Sequence, residues 1–274
     1  MALRIIINAD DFGLSPDVNE AVAKAHRHGI LTSASLIVAG DAWQHAVDLA
    51  RQMPKLALGL HILAVNGPAV LPTEHIPLLL DHCGKFPNAP LRLGLLYFLN
   101  RRARRQLERE LHAQFDRFAA TGLPLSHVDG HMHMHVHPAV FTIVLKLAEE
   151  YRAGGFRLPR DEWWPPGVRT PDAIVMRCLS ASCAKRLRQR GLAVPQRCYG
   201  LARSGRMDEQ YVLDLLRRIN APSAEIYFHP ACDHRLDPAG PNPGDLATLL
   251  SPAVRQEILS RGMQLGTYAD IQEA

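Results

Sequence analysis

Short apolar runs alternate with helical segments along most of this chain, and that alternation limits the fold more than any single residue does. Leu3-Arg4-Ile5-Ile6-Ile7 is mostly β-branched and predicts a buried strand. Further strands are expected at Ala34–Val38, Leu56–Leu60, Ser126–Asp129, Gly155–Leu158, Val194–Tyr199, Glu225–Phe228 and Gln264–Tyr268. Between the first two, Ser15-Pro16-Asp17 supplies an N-cap, a first-turn proline and an early acid; Gly29 is the stop. Asp41 is expected to cap the next helix, which reaches about Met53. A helical region is expected from about Leu91 to Ala120, and Pro138, Thr170-Pro171-Asp172, Asp208 and Ser251-Pro252 each open another. Strand, helix, strand in succession argues for parallel strands. Seven or eight such units without a linker or repeat predict one domain over 1–274, an α/β fold built as a distorted or incomplete (β/α) TIM-like barrel. An open doubly wound sheet competes, but no Gly-x-Gly-x-x-Gly follows the first strand.

The composition, 47% hydrophobic and 21% charged, suits a globular chain of this length. The net charge of +4 is mild, and the cluster Arg101-Arg102-Ala103-Arg104-Arg105 has no interleaved aromatics, so no nucleic-acid partner is expected. Five scattered cysteines without Cys-x-x-Cys spacing read as reduced thiols. With no signal-peptide pattern and no apolar run near the ~20 residues that span a bilayer, a cytoplasmic protein is expected. Leu91–Phe98 followed by the arginine cluster has the make-up of a membrane-surface element, or of a surface helix with a basic end. The membrane's inner face is therefore a candidate location. The oligomeric state stays open, a homodimer included. Residues 62–90 are proline-rich and irregular, long enough to be a functional or mobile loop.

The predicted strands end in telling residues. Asp10 and Asp11 follow the first, His61 the third, His131 the fourth, and His229 the strand near residue 227. In a parallel barrel these ends share the C-terminal face, where such folds place their chemistry. Adjacent carboxylates repel each other, and a cation or a shared proton is the usual remedy. One Asp with two neutral imidazoles suits zinc or another first-row divalent ion and leaves positions open for water. Asp11 is the better ligand of the pair, which leaves Asp10 as general base. In His131-Met132-His133-Met134-His135-Val136-His137, a strand-like course would put alternate side chains on one side, and at most two histidines should ligate one ion. The others are expected as wall residues or substrate contacts. Arg157 is a candidate for orienting a carboxylate or touching substrate; Trp163 and Trp164 could stack on a sugar ring or anchor a packed loop.

Ala9-Asp10-Asp11-Phe12-Gly13, Gly59-Leu60-His61 and His127-Val128-Asp129-Gly130-His131 together resemble the YdjC-type carbohydrate deacetylases over nearly the whole chain. The resemblance implies a distorted (β/α) barrel, one divalent metal ion (zinc or magnesium) on Asp11, His61 and His131, Asp10 as base and His229 as acid. It implies an N-acetylated glycan or glycolipid as substrate. Phe156-Arg157-Leu158-Pro159-Arg160, the stretch Tyr199–Met207 and Glu225–Ala231 further resemble the hopanoid-biosynthesis-associated HpnK subgroup, which implies N-acetylglucosaminyl hopanoid as that substrate. The subgroup often has an acid after Leu-Pro, where Arg160 and then Asp161-Glu162 stand here. His133 and Arg157 are the candidate substrate contacts. Deacetylation of a chitooligosaccharide such as diacetylchitobiose, metal-dependent hydrolysis of a phosphoester or cyclic amide, and non-catalytic sugar or lipid binding are the rival expectations.

Overall fold

The computed structural model describes residues 3–160, 171–233 and 240–271. In chain order the elements are β1 (Arg4–Phe12), α1 (Pro16–His28), β2 (Ser33–Leu36), α2 (Trp43–Arg51), β3 (Ala57–Ile62), β4 (Gly67–Pro68) and β5 (Lys85–Phe86). They continue with α3 (Pro90–Leu99), α4 (Arg101–Ala119), β6 (His127–Gly130), α5 (Pro138–Glu150), β7 (Gly155–Phe156) and α6 (Pro171–Gln189). β8 (Arg197–Tyr199), α7 (Glu209–Arg218), β9 (Ser223–Phe228), α8 (Pro243–Leu249), α9 (Pro252–Ser260) and β10 (Gln264–Gly266) complete the chain.

The main sheet is parallel and runs β7-β6-β3-β2-β1-β9-β8, with β10 beside the start of β1. It curls until its ends approach: Phe156 N donates to Ala193 O at 2.8 Å and Ala193 N to Gly154 O at 3.1 Å, a short seam just ahead of β8. This is the expected distorted, incomplete TIM-like barrel.

Strand alternation sorts the side chains. Ile5, Ile7 and Ala9, with Leu58, Leu60, Val128, Phe156, Ile226 and Phe228, pack under the helices in one continuous core. The intervening positions turn inward and are largely polar: Asn8, Asp10, Ser35, His61, His127, Asp129 and Glu225, all buried. Apolar burial on the outer layer thus holds a polar interior in place.

Three expectations change. The helical region at 91–120 is two helices, because the Asn100 side chain accepts from Arg102 N and Ala103 N at 2.9 and 3.1 Å and starts α4 afresh. Asp41 does not cap α2, whose N-cap is Ala42 without a side-chain bond. The histidine run is not strand-like: His131–Val136 forms 3-10 turns, with Met132 and His133 at φ 48° and 55°. Thr170, Trp163 and Trp164 lie outside the described residues.

The long segment after β3 is strapped to one face of α4. Gln114 brackets Leu63 at both N and O (2.9 and 2.8 Å), Glu110 accepts from Val70 N and Leu71 N (2.8 and 2.9 Å), and Gln106 accepts from Leu78 N (2.9 Å). Among the described residues no helix is long and apolar enough to cross a membrane.

Candidate active site

Neighbouring residues of a regular strand face opposite ways, so Asp10 and Asp11 should not share a site. They do because β1 carries an extra residue there: it pairs with β2 at Ala9↔Ala34 and next at Phe12↔Leu36. Asp11 takes up the bulge at φ 62°, a left-handed conformation uncommon outside glycine. The two carboxylates then reach different partners on one side of the sheet.

Asp11 Oδ1 lies 3.6 Å from His61 Nε2 and 3.3 Å from His131 Nδ1. Among the described residues no hydrogen bond reaches that buried oxygen, although two imidazoles and a carboxylate converge within 4.8 Å of one another. His61 Nδ1 lies 2.8 Å from Asp129 Oδ1, the carboxylate support that orients a ligating histidine and leaves Nε2 aimed at Asp11. Among the described residues, four buried carboxylates, Asp10, Asp11, Asp129 and Glu225, gather here, and the buried Arg157 pairs with all of them but Asp11, so a further cation beside Asp11 is electrostatically favoured. The donor set fits a divalent metal ion.

The charges leave their mark on each group. Burial opposes a charged His61, yet Asp129, Asp10 and Asp11 raise it to about 9. Burial would raise Asp129, but Arg157 and His61 hold it well below the carboxylate range. Burial would also raise Asp11, which the surrounding histidines, His131 foremost, keep low instead.

Asp10 faces the other way. Its Oδ2 and Oδ1 each lie 2.7 Å from Arg157, on Nη1 and Nη2, and Asn8 Nδ2 donates to Oδ1 at 2.8 Å. His229 Nε2 stands 3.9 Å from Asp10 Oδ2. The His229 backbone is fixed by the buried Asp245, which accepts its N–H at 2.8 Å, and by Asn242, whose N–H donates to its carbonyl at 2.8 Å. Among the described residues nothing bonds to His229 Nδ1.

The barrel thus brings Asp10, Asp11, His61, His131 and His229 together. Arg157 and His133, read as substrate contacts, are both tied to protein groups. Arg157 is wholly buried and also meets Asp129 Oδ2 (2.8 Å, from Nη1) and Glu225 Oε1 (2.8 Å, from Nη2). His133 Nε2 lies 3.0 Å from the Tyr227 hydroxyl. His135 Nε2 lies 3.1 Å from Arg157 O, and His137 is the N-cap residue of α5.

Sequence reasoning missed Asn8, Ser35, Glu225, Tyr268 and Asp245. Ser35 donates to Asp129 Oδ2 at 2.7 Å and Tyr268 to Glu225 Oε2 at 2.6 Å, and the Tyr268 ring stacks on His127 at 4.3 Å. Asn242-Pro243 was the available signal for Asp245, since the Asn242 side chain caps α8 by accepting from Asp245 N at 2.9 Å.

The fold has a solved counterpart. A structure titled a putative cellobiose-phosphate cleavage protein, from Enterococcus faecalis, superposes with a TM-score of 0.79 over 98% of this chain and 99% of its own, at 23% identity. A Geobacillus stearothermophilus protein named carbohydrate deacetylase is 32% identical across 97% of this chain and 96% of its own length. A Serratia marcescens protein named chitooligosaccharide deacetylase is 31% identical across 97% and 98%. A Brevibacillus brevis carbohydrate deacetylase is 45% identical over 150 residues, and there the alignment spans only 57% of the relative. The family model described as YdjC-like protein matches residues 4–260, and the chain belongs to that family.

Proposed function

We propose that this protein hydrolyses the N-acetyl group of an N-acetylglucosamine-type sugar. The observation that carries the reading is the meeting of two half-sites on one side of the sheet: Arg157-clamped Asp10, with His229 Nε2 3.9 Å from its Oδ2, and next to them Asp11 converging with His61 and His131. Asp11, His61 and His131 would hold a divalent ion, which would supply Lewis-acid polarisation of the acetyl carbonyl and a more acidic water. That mixed nitrogen and oxygen set favours zinc over magnesium.

The chain's own groups do the proton work. Asp10 Oδ1 already accepts from Arg157 and Asn8, whereas among the described residues Oδ2 accepts from Arg157 alone, so Oδ2 takes the proton of the attacking water. Water oxygen bonds to the acetyl carbon, the C–N bond breaks, and His229 Nε2 protonates the departing amine. Acetate and the free amino sugar leave. Arg157 keeps Asp10 oriented throughout, and anionic until it takes that proton.

For the substrate, N-acetylglucosaminyl hopanoid, and with it a role in glucosaminyl-hopanoid biosynthesis, is supported by the HpnK-like stretches around Arg157, Tyr199 and Glu225. The Serratia relative's name supports a chitooligosaccharide instead. Acetate release by the metal-loaded protein from the hopanoid and from diacetylchitobiose separates the two. Asp10→Asn should lower release by about 10²- to 10⁴-fold with metal content unchanged. Near-normal turnover in that variant overturns the assignment of Asp10, and no release from either compound reopens the choice of bond.

A further inference from the structure

Helix α3 is apolar on both faces. Leu93 and Tyr97 are buried against the domain, while Leu91, Leu95, Phe98 and Leu99 are 85%, 61%, 55% and 73% exposed. Their i, i+4, i+7, i+8 spacing gathers them into one outward stripe. Such a stripe marks a surface that something covers.

The electrostatics around it name the partner. From residue 82 to residue 107 there is no Asp or Glu, while Lys85, Arg92, Arg101, Arg102, Arg104 and Arg105 all fall there. Arg104 is committed to the carbonyls that end α3, on Tyr97 and Phe98. Arg92, Arg101, Arg102 and Arg105 are exposed, and among the described residues none pairs with a carboxylate. We propose that this surface docks on an anionic lipid bilayer, with the α3 stripe in the headgroup region and the arginines on lipid phosphates. A second copy of the chain fits worse, because a two-fold contact through α3 would set the same arginines against one another.

Helix α3 adjoins the candidate site through its buried side. Gly94 of α3 sits so close to His137 that an added Cβ would lie 3.3 Å from its Nε2, and His137 follows the turns that carry His131 and the half-exposed Met132. Bilayer docking would bring those turns near an acetylated sugar on a lipid anchor. The docking itself does not depend on the deacetylase reading.

The test is co-sedimentation of the full chain with vesicles of equimolar phosphatidylglycerol and phosphatidylcholine, and with phosphatidylcholine alone. Binding is expected to the anionic vesicles only and to weaken with added salt. Leu95→Glu with Phe98→Glu should abolish it, and each of Arg101→Gln, Arg102→Gln and Arg105→Gln should lower the partition coefficient roughly fivefold. Unfolding curves and metal content identify variants that have merely misfolded, and acetate release from a soluble chitooligosaccharide reports the chemistry separately. Failure of the folded wild type to bind anionic vesicles overturns the proposal. So does equal binding by the Leu95/Phe98 variant, or a solution dimer that this variant dissociates, which would give the face to a second copy.

Discussion

Arg157 and Asp10 meet fork to fork, Nη1 on Oδ2 and Nη2 on Oδ1, both at 2.7 Å and both out of solvent. The same guanidinium also holds Asp129 and Glu225, so three strands and the end of β7 are joined through one side chain. Its ring neighbour Tyr227 lies 4.5 Å from the guanidinium carbon. Burial opposes the charge, but the three carboxylates hold Arg157 well above its ordinary value, so it stays cationic.

Removing that cation leaves buried carboxylates facing each other. Arg157→Met should destabilise the fold by about 3–5 kcal/mol, read by urea or thermal unfolding. Arg157→Lys keeps the charge and loses the fork, so it should lower turnover more than stability. An Arg157→Lys protein with wild-type kcat would show that Asp10 needs charge alone and not orientation.

Gly59 exists for His127. A Cβ at Gly59 would come within 2.3 Å of the imidazole that stacks on Tyr268 and bonds Ser35. Gly59→Ala should cost about 1–3 kcal/mol by overpacking, and combined with His127→Ala it should cost less than the two single changes summed. Strict additivity in unfolding experiments would mean that the ring moves aside freely.

The strands and the residues at their ends were legible, and the contacts that tie those residues together were not. Runs such as Ile5-Ile6-Ile7 declare strands through their apolar content, and the strand ends at Asp11, His61, His131 and His229 were placed by counting elements. The β1 bulge has no sequence marker, because its left-handed residue is Asp11 and not a glycine. Arg157 could be read as a candidate for orienting a carboxylate, but not which one, because only the curl of the sheet brings Asp10, 147 positions away, into its fork. Asn100 hid inside a helical pattern as the cap that divides it. Helix α8 is seven residues long, too short for a periodic signal, yet it carries the Asp245 that fixes His229.

Asp129 supports the metal site at one remove. Its Oδ1 lies 2.8 Å from His61 Nδ1, and Ser35 donates to its Oδ2. Asp129→Asn should weaken zinc binding by about 10- to 100-fold, measured by competition with a chromophoric chelator. Asp11→Asn, which alters the proposed ligand itself, should weaken it further. Equal affinity in wild type and Asp129→Asn would place the ion away from His61.

Stability should fall in mild acid for a reason separate from the metal. Burial, with the charge of Arg157 adding to it, lowers both His127 and His135 to about 4, although Asp129 partly opposes this. In the unfolded chain each histidine titrates near 6.5. Between these values the unfolded state binds more protons, so stability rises with pH through that window. It is complete above about 6.5 and is lost as pH falls toward about 4, on the order of 3 kcal/mol for each ring. Unfolding of chelator-treated protein across that range should show the slope. His135→Gln keeps a donor toward Arg157 O, 3.1 Å from Nε2 in the wild type, and removes one titrating ring. Its stability should therefore depend less steeply on pH than the wild type's. An unchanged slope would assign the acid sensitivity to other groups.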